Sequence, residues 1–163
     1  KNGFLQMIYD ARSAILIQTP YFIPDDSFIE ALRIASRSGV DVRLMIPKKT
    51  DNILVQPVNM AYAQQIADCG VKIYLYNGFL HAKTITCDSK IASIGTANMD
   101  VRSFSLNFEV NAFIYDREFS EGYARHFEED IKNCREVNSA WFKKRAIFTR
   151  GAWKAARLLA PLM

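Results

Sequence analysis

Cysteine is scarce in this chain: Cys69, Cys87 and Cys134 are three among 163 residues, an odd number at no metal-ligand spacing. That argues against a disulfide framework and a cysteine-based metal site, and it points to a reducing compartment. Long apolar runs are absent too. No stretch reaches the ~18 consecutive apolar residues of a transmembrane helix, and no basic segment followed by an apolar run opens the sequence. Internal repeats and low-complexity tracts are missing, which excludes solenoids. One region lacks acids altogether. From Val137 to Met163 the cations Lys143, Lys144, Arg145, Arg150, Lys154 and Arg157 stand without a single Asp or Glu.

What is present is an ordinary globular composition, 50% hydrophobic and 23% charged, sufficient for one domain with its own core. The net charge of +4 hides a division, because residues 1–136 are slightly acidic and residues 137–163 strongly basic. Such a tail suits an anionic partner, either a membrane surface or nucleic acid, unless it is a solvated helix face. The sequence also starts at Lys1, without methionine and inside a helical pattern, as expected of a piece of a longer protein.

Helical spacing over residues 3–12 is followed by an apolar run, Ala14 to Thr19, that reads as a buried strand. After Pro20 and Pro24, Asp25, Asp26 and Ser27 offer N-caps to a helix ending near Gly39. A strand at Asp41 to Ile46, a helix stopped by Gly70 and a strand at Val71 to Tyr76 complete a β-α-β-α-β pattern. Three closely spaced strands are then expected at His81 to Thr86, Lys90 to Ile94 and Leu106 to Tyr115, with a helix at Arg117 to Arg135. The expected fold is α/β, a mixed sheet flanked by helices.

The chemistry concentrates between His81 and Asn98. On a strand, His81 and Lys83 project from one face. A histidine nitrogen serves as nucleophile or general acid, and a lysine neutralises phosphoryl oxygens. Gly95, Thr96 and Asn98 form a turn able to donate hydrogen bonds to the same oxygens. On the strand expected at 106–115, Asn107, Glu109 and Asn111 share a face. That face is either solvated or brings Glu109 against the second nitrogen of His81, fixing its tautomer.

His81, Lys83, Asp88, the Gly95-Thr96 pair and Asn98, in that spacing, resemble the signature of the phospholipase D superfamily. The stretches Gln18 to Asp25, Val42 to Pro47, Asn107 to Glu109 and Ala156 to Leu162 are similar to the carboxy-terminal catalytic half of bacterial cardiolipin synthases. The resemblance implies a phospholipase D-like α/β sandwich needing no metal or cofactor. It implies transfer of a phosphatidyl group from one phosphatidylglycerol to another through a phosphohistidine, giving cardiolipin and glycerol. His81 is either that nucleophile or the group that protonates the leaving alcohol, and Glu109 supports it. Lys83, Gly95, Thr96 and Asn98 bind the phosphate, and Asp88, counted with the catalytic signature, holds its turn.

Such enzymes assemble one site from two motifs, whereas His126 has no lysine two residues on, leaving one motif here. A second motif is expected from an upstream half or a second copy. With an upstream half, the family's division of labour makes His81 the general acid and base. The resemblance places the full-length enzyme at the cytoplasmic face of a bacterial membrane, with this piece soluble or peripheral. Trp141, Phe142 and Trp153, interleaved with the six cations and joined by Ile147, Phe148, Leu158 and Leu159, suit a segment at the headgroup level, or else pack on the body. Tyr21, Phe22 and Phe79 suit either an acyl-chain groove or the core. Two other classes remain open: a single-motif phosphodiesterase or nuclease working as a homodimer, which the lipid-like signature makes the lesser reading, and an incomplete half domain.

Overall fold

The computed structural model describes residues 1–158. In chain order these form α1 (Asn2–Asp10), β1 (Ala14–Gln18), β2 (Phe22–Ile23), α2 (Asp26–Arg37), β3 (Asp41–Pro47), α3 (Val55–Ala67), β4 (Lys72–Tyr76), β5 (Thr84–Cys87), β6 (Ile91–Gly95), β7 (Met99–Asp100), α4 (Val101–Ser105), β8 (Asn111–Ile114), α5 (Arg117–Ile131), β9 (Cys134–Val137), α6 (Ser139–Lys143) and α7 (Ile147–Ala156). The main sheet runs β8-β6-β5-β1-β3-β4-β9, and β2 pairs with β7 apart from it. The strands β1, β3 and β4 are parallel, while β5, β6, β8 and β9 join by antiparallel pairings. The mixed sheet with flanking helices matches the expected fold.

Strand alternation divides the core between the two faces of the sheet. Ile15, Ile17, Leu44, Ile46, Ile73 and Leu75 point to the face covered by α1, α2 and α3. Leu16, Met45 and Tyr74, one residue out of step, meet Phe127 of α5 on the other. Because β1 is covered on both faces and paired on both edges, it reads as a continuous apolar run. The helix ends are chemically specified: the Asp25 carboxylate caps α2 through Phe28 N, and Gly39 and Gly70 take positive φ values of 91° and 99° just past α2 and α3.

Four expectations change. The strand expected from His81 begins only at Thr84, because β1 ends opposite it at Gln18 and Pro20 cannot extend the ladder. The strand expected from Leu106 is limited to Asn111–Ile114: α4, capped by Asp100, precedes it, and β6 offers only Ala92–Gly95 as partners. The last long helix stops at Ile131, and the chain then forms β9 on the edge of β4, so the boundary expected at residues 136/137 falls inside a strand. That strand is short and carries Arg135 and Glu136, which hid its pattern.

The tail packs on the body. Phe142 is fully buried, Trp141 and Trp153 are partly buried against the same core, and α7 lies on α3. Phe142 is therefore not a membrane-facing residue. Burial on a core that already held the apolar face of α3 is the reason. Of the cations, Arg145 lies 3.8 Å from the Trp141 ring centroid and Arg157 4.5 Å from that of Tyr62. Leu159 and the remainder of the Ala156 to Leu162 stretch lie outside the described residues.

Asp88 sits in the turn after β5 with φ 54°. Its carboxylate accepts from the backbone N–H groups of Arg12 (2.8 Å), Ser13 (2.7 Å) and Ala14 (2.9 Å) and from the Ser13 hydroxyl (2.8 Å), tying the start of β1 to the end of β5. Burial works against its charge, but those hydrogen bonds prevail and hold its pKa down to about 2. A depressed carboxylate stabilises the fold above its unfolded pKa, and that stability is lost as pH falls from about 4 to about 2. Asp88→Asn, which keeps the turn conformation, is expected to cost about 1–2 kcal/mol at pH 7, a Tm lower by roughly 2–8 °C, with the difference from wild type vanishing near pH 2. Thermal unfolding at both pH values checks this, and equal Tm values at pH 7 refute it. Phe142→Ala is expected to cost about 3–5 kcal/mol, whereas a membrane-facing Phe142 would leave Tm unchanged.

Candidate active site

The sheet places the signature residues at one edge. Running antiparallel to β1, β5 starts where β1 ends, with Gln18 opposite Thr84. Lys83 and His81, just ahead of β5, therefore lie at the carboxyl edge of β1, β3 and β4, where open α/β sheets present ligand sites. The antiparallel steps to β6 and β8 return the chain to the same edge, with Thr84 opposite Ile94 and Gly95 opposite Asn111. Gly95, Thr96, Asn98 and Glu109 thus converge there. Asp88 does not: it closes the far end of β5 and belongs to the scaffold of the signature.

Gly95 is where two segments nearly touch. A Cβ on it would come within 2.1 Å of the Val110 carbonyl oxygen and 2.6 Å of the Asn111 side chain. Only a residue without a side chain lets the loop bearing Glu109 come this close. Thr96 stitches the contact: its backbone N–H donates to Val110 O (2.9 Å), its hydroxyl accepts from Val110 N (3.0 Å) and donates to Glu109.

The Glu109 carboxylate is bound by its own neighbourhood and not by His81. Thr96 donates to one oxygen, and Ser103 (3.1 Å) and Asn107 (3.2 Å) donate to the other. The hydrogen bond from Thr96 foremost, with those from Asn107 and Ser103 and the charge of Lys83, keeps its pKa below the usual glutamate value. The expected His81–Glu109 hydrogen bond is not formed, because both Glu109 oxygens are engaged elsewhere. Glu109 lies in a loop whose hydroxyls and amide already occupy it, while the exposed His81 ring stacks on Phe79, with centroids 5.7 Å apart. Lys83 turns its ammonium to His81 O at 2.9 Å. Burial lowers its pKa, against the opposing pull of Glu109, Asp51 and Asp100.

Sequence reasoning named Tyr21 only as a candidate for an acyl-chain groove or the core, and it missed Asp51, Asp100 and Asn59. Tyr21 donates to Asp51 at 2.7 Å, and its pKa is pushed up to about 12 by burial and by that carboxylate. Asp51 in turn is held below the usual aspartate value by the Tyr21 hydrogen bond and feels the charge of His81. Asp100 caps α4 through Ser103 N at 2.7 Å, and burial raises its pKa. Buried Asn59 clamps the Pro20–Phe22 turn from both sides, accepting from Phe22 N (2.9 Å) and donating to Pro20 O (2.7 Å). Only the Asp100–Ser103 spacing carried a readable capping signal. Tyr21 is half-buried at the site, and Phe22 belongs to the core.

A cleft of about 310 Å³ opens beside these groups, lined by Tyr21, Asn52, Leu54, Asn98, Arg102 and Asn107 among others. The side-chain oxygen of Asn98 is buried there without a hydrogen-bond partner. Among the described residues, no three His, Cys, Asp or Glu side chains converge as a metal site, and no helix is long and apolar enough to cross a membrane.

Gly95→Ala is expected to force the Val110 backbone away, cost about 1–3 kcal/mol and displace Glu109 from Thr96. A lower Tm together with lost activity of the completed site checks this; an unchanged Tm refutes the close approach.

Known proteins show the family and the fold. Residues 4–131 match the family model described as cardiolipin synthase, PLD-like domain. The chain is 49% identical, over its whole length, to a cardiolipin synthase of Clostridium perfringens (strain SM101 / Type A) and 48% identical to the major cardiolipin synthase of Bacillus subtilis (strain 168), spanning 34% of each. It therefore covers about a third of the length of those relatives. The fold is shared with Nuc, a phospholipase D family member from Salmonella typhimurium (TM-score 0.71, 23% identity, 83% of this chain and 88% of that one). It is shared too with phosphatidylserine synthase of Haemophilus influenzae (TM-score 0.73, 12% identity, 98% of this chain and 42% of that one). With the family model covering most of the chain, the chain belongs to the PLD-like domain family of the cardiolipin synthases.

Proposed function

We propose that this chain supplies one of the two motifs of a phosphatidyltransferase that joins two phosphatidylglycerol molecules into cardiolipin. The observation that carries the reading is the gathering of His81, Lys83, Gly95, Thr96 and Asn98 at one sheet edge, beside an open cleft. In the first step, a histidine nitrogen attacks phosphorus, the P–O bond to the glycerol headgroup breaks, and a second histidine protonates the departing oxygen. In the second, that histidine removes a proton from a hydroxyl of another phosphatidylglycerol. The freed oxygen attacks phosphorus, and the P–N bond breaks. Cardiolipin and glycerol leave, and both histidines are regenerated.

His81 takes the proton-transfer role, with Lys83 and Asn98 on the non-bridging oxygens. The cleft supports a polyol headgroup, since its amides, tyrosine and arginine match hydroxyls, and the orphaned Asn98 oxygen accepts from one.

Electrostatics support a second motif. Around His81 and Lys83 stand three carboxylates, Asp51, Asp100 and Glu109, so this half alone is a poor host for an anionic phosphodiester. Another His-Lys pair restores the balance. The exposed Ile53, Leu54, Phe79, Leu106 and Phe108 in loops at this edge suit cover by that second half. The complete enzyme then works at the cytoplasmic face of a bacterial cell membrane, where its substrates lie.

The chain, mixed with the remainder of the Clostridium perfringens relative and phosphatidylglycerol in mixed micelles, is expected to form cardiolipin detectable by mass spectrometry. His81→Ala is expected to lower the rate at least ~1,000-fold with Tm nearly unchanged, because His81 is exposed. Cardiolipin formation at the wild-type rate by His81→Ala, or cleavage of DNA without lipid turnover, overturns the reading.

A further inference from the structure

Helix α7 is inside out. Its partly buried positions, Arg150, Trp153, Ala156 and then Arg157, recur at helical spacing and meet α3, so two of the four residues facing the body are arginines. The opposite side carries Ile147 and Phe148, 77% and 88% exposed, then Gly151, Ala152 and Ala155, with Leu158, 82% exposed, just past the end. An amphipathic helix on a globular body normally turns its apolar stripe inward. Here the inward face is already fixed: Trp153 packs on the core, and Arg157 lies over Tyr62. The apolar stripe is left outward.

Charge decides what that stripe fits. Lys143 and Lys144 are exposed immediately before α7, Lys154 is exposed on it, and no acid occurs from Val137 onward. Apolar side chains fringed by Lys143, Lys144 and Lys154, with Asp68 of α3 as an acidic neighbour of Lys154, match the headgroup boundary of an anionic bilayer, into which such stripes sink while the ammonium groups stay with phosphate. A second copy of the same basic face would meet like charge.

We propose that the outward face of α7, Ile147 and Phe148 with Leu158, fringed by Lys143, Lys144 and Lys154, is a docking surface for an anionic phospholipid bilayer. The proposal deepens the lipid reading by naming the surface, and its test needs no turnover. The expected basic aromatic membrane segment is thereby confined to one helix face, without Trp141, Phe142 or Trp153.

The 163-residue chain is mixed with vesicles of phosphatidylglycerol and phosphatidylcholine, or of phosphatidylcholine alone, and floated on a density gradient. Flotation with the anionic vesicles is expected, falling at least ~10-fold for Ile147→Ser/Phe148→Ser and for Lys143→Glu/Lys144→Glu, each with a wild-type circular-dichroism spectrum. His81→Ala is expected to float like wild type, so loss of catalysis and loss of docking are told apart. Flotation of the Ile147→Ser/Phe148→Ser variant at the wild-type level overturns the proposal. So does a wild-type chain that ignores anionic vesicles and elutes from gel filtration as a dimer that this variant abolishes.

Discussion

The antiparallel pairing of β5 with β1 is the constraint on which the site depends. Were β5 parallel, like β3 and β4, the residues before it would emerge at the opposite edge of the sheet. Antiparallel, Gln18 faces Thr84, and Lys83 and His81 lie just beyond, where the chain is free of the ladder. The Asp88 carboxylate holds this pairing from the other end, bonded to three consecutive backbone N–H groups that lead into β1, from Arg12 to Ala14. An aspartate that touches no reacting atom thus sets where His81 begins.

A second constraint is distance between loops. Gly95 admits the Val110 carbonyl, Thr96 fixes the approach, and Glu109 receives three donors from the loop and turn around it. Glu109 therefore organises the turn from Gly95 to Asn98, and its charge reaches Lys83 through space. Each carboxylate at this edge has a structural attachment: Asp51 to Tyr21, Asp100 to the start of α4, Glu109 to Thr96. Fixed negative charge of this kind lowers the affinity of an isolated half for an anion. It also opposes, without cancelling, the lowering of the Lys83 pKa by burial.

The legible parts of the sequence were those governed by local rules. β1 was readable because a continuous apolar run has few other fates, and α2 because Asp25 and Gly39 punctuate it. The signature was readable because its spacing follows one strand, one turn and the next strand. What escaped reading was decided by partners distant in sequence. Glu109 looked like a strand residue because Asn107, Glu109 and Asn111 alternate with apolar neighbours, but β6 has room to pair only four residues of β8. Phe142 looked interfacial among its cations, yet it joins the same core as the apolar residues of α3. The strand β9 has no apolar alternation, since an edge on β4 asks little of Arg135 and Glu136.

The direction of α7 relates the proposed docking face to the chemistry. Just before it, Ser139 of α6 donates to Asp68 at the carboxyl end of α3, and just after it Arg157 lies over Tyr62, one to two turns nearer the start of α3. The helix therefore runs back along α3 toward the end where Leu54 and Val55 line the cleft. A flat surface resting on Ile147, Phe148 and Leu158 extends in that same direction. On the proposed reading, a bilayer resting on α7 thus extends toward the end of α3 that carries the cleft.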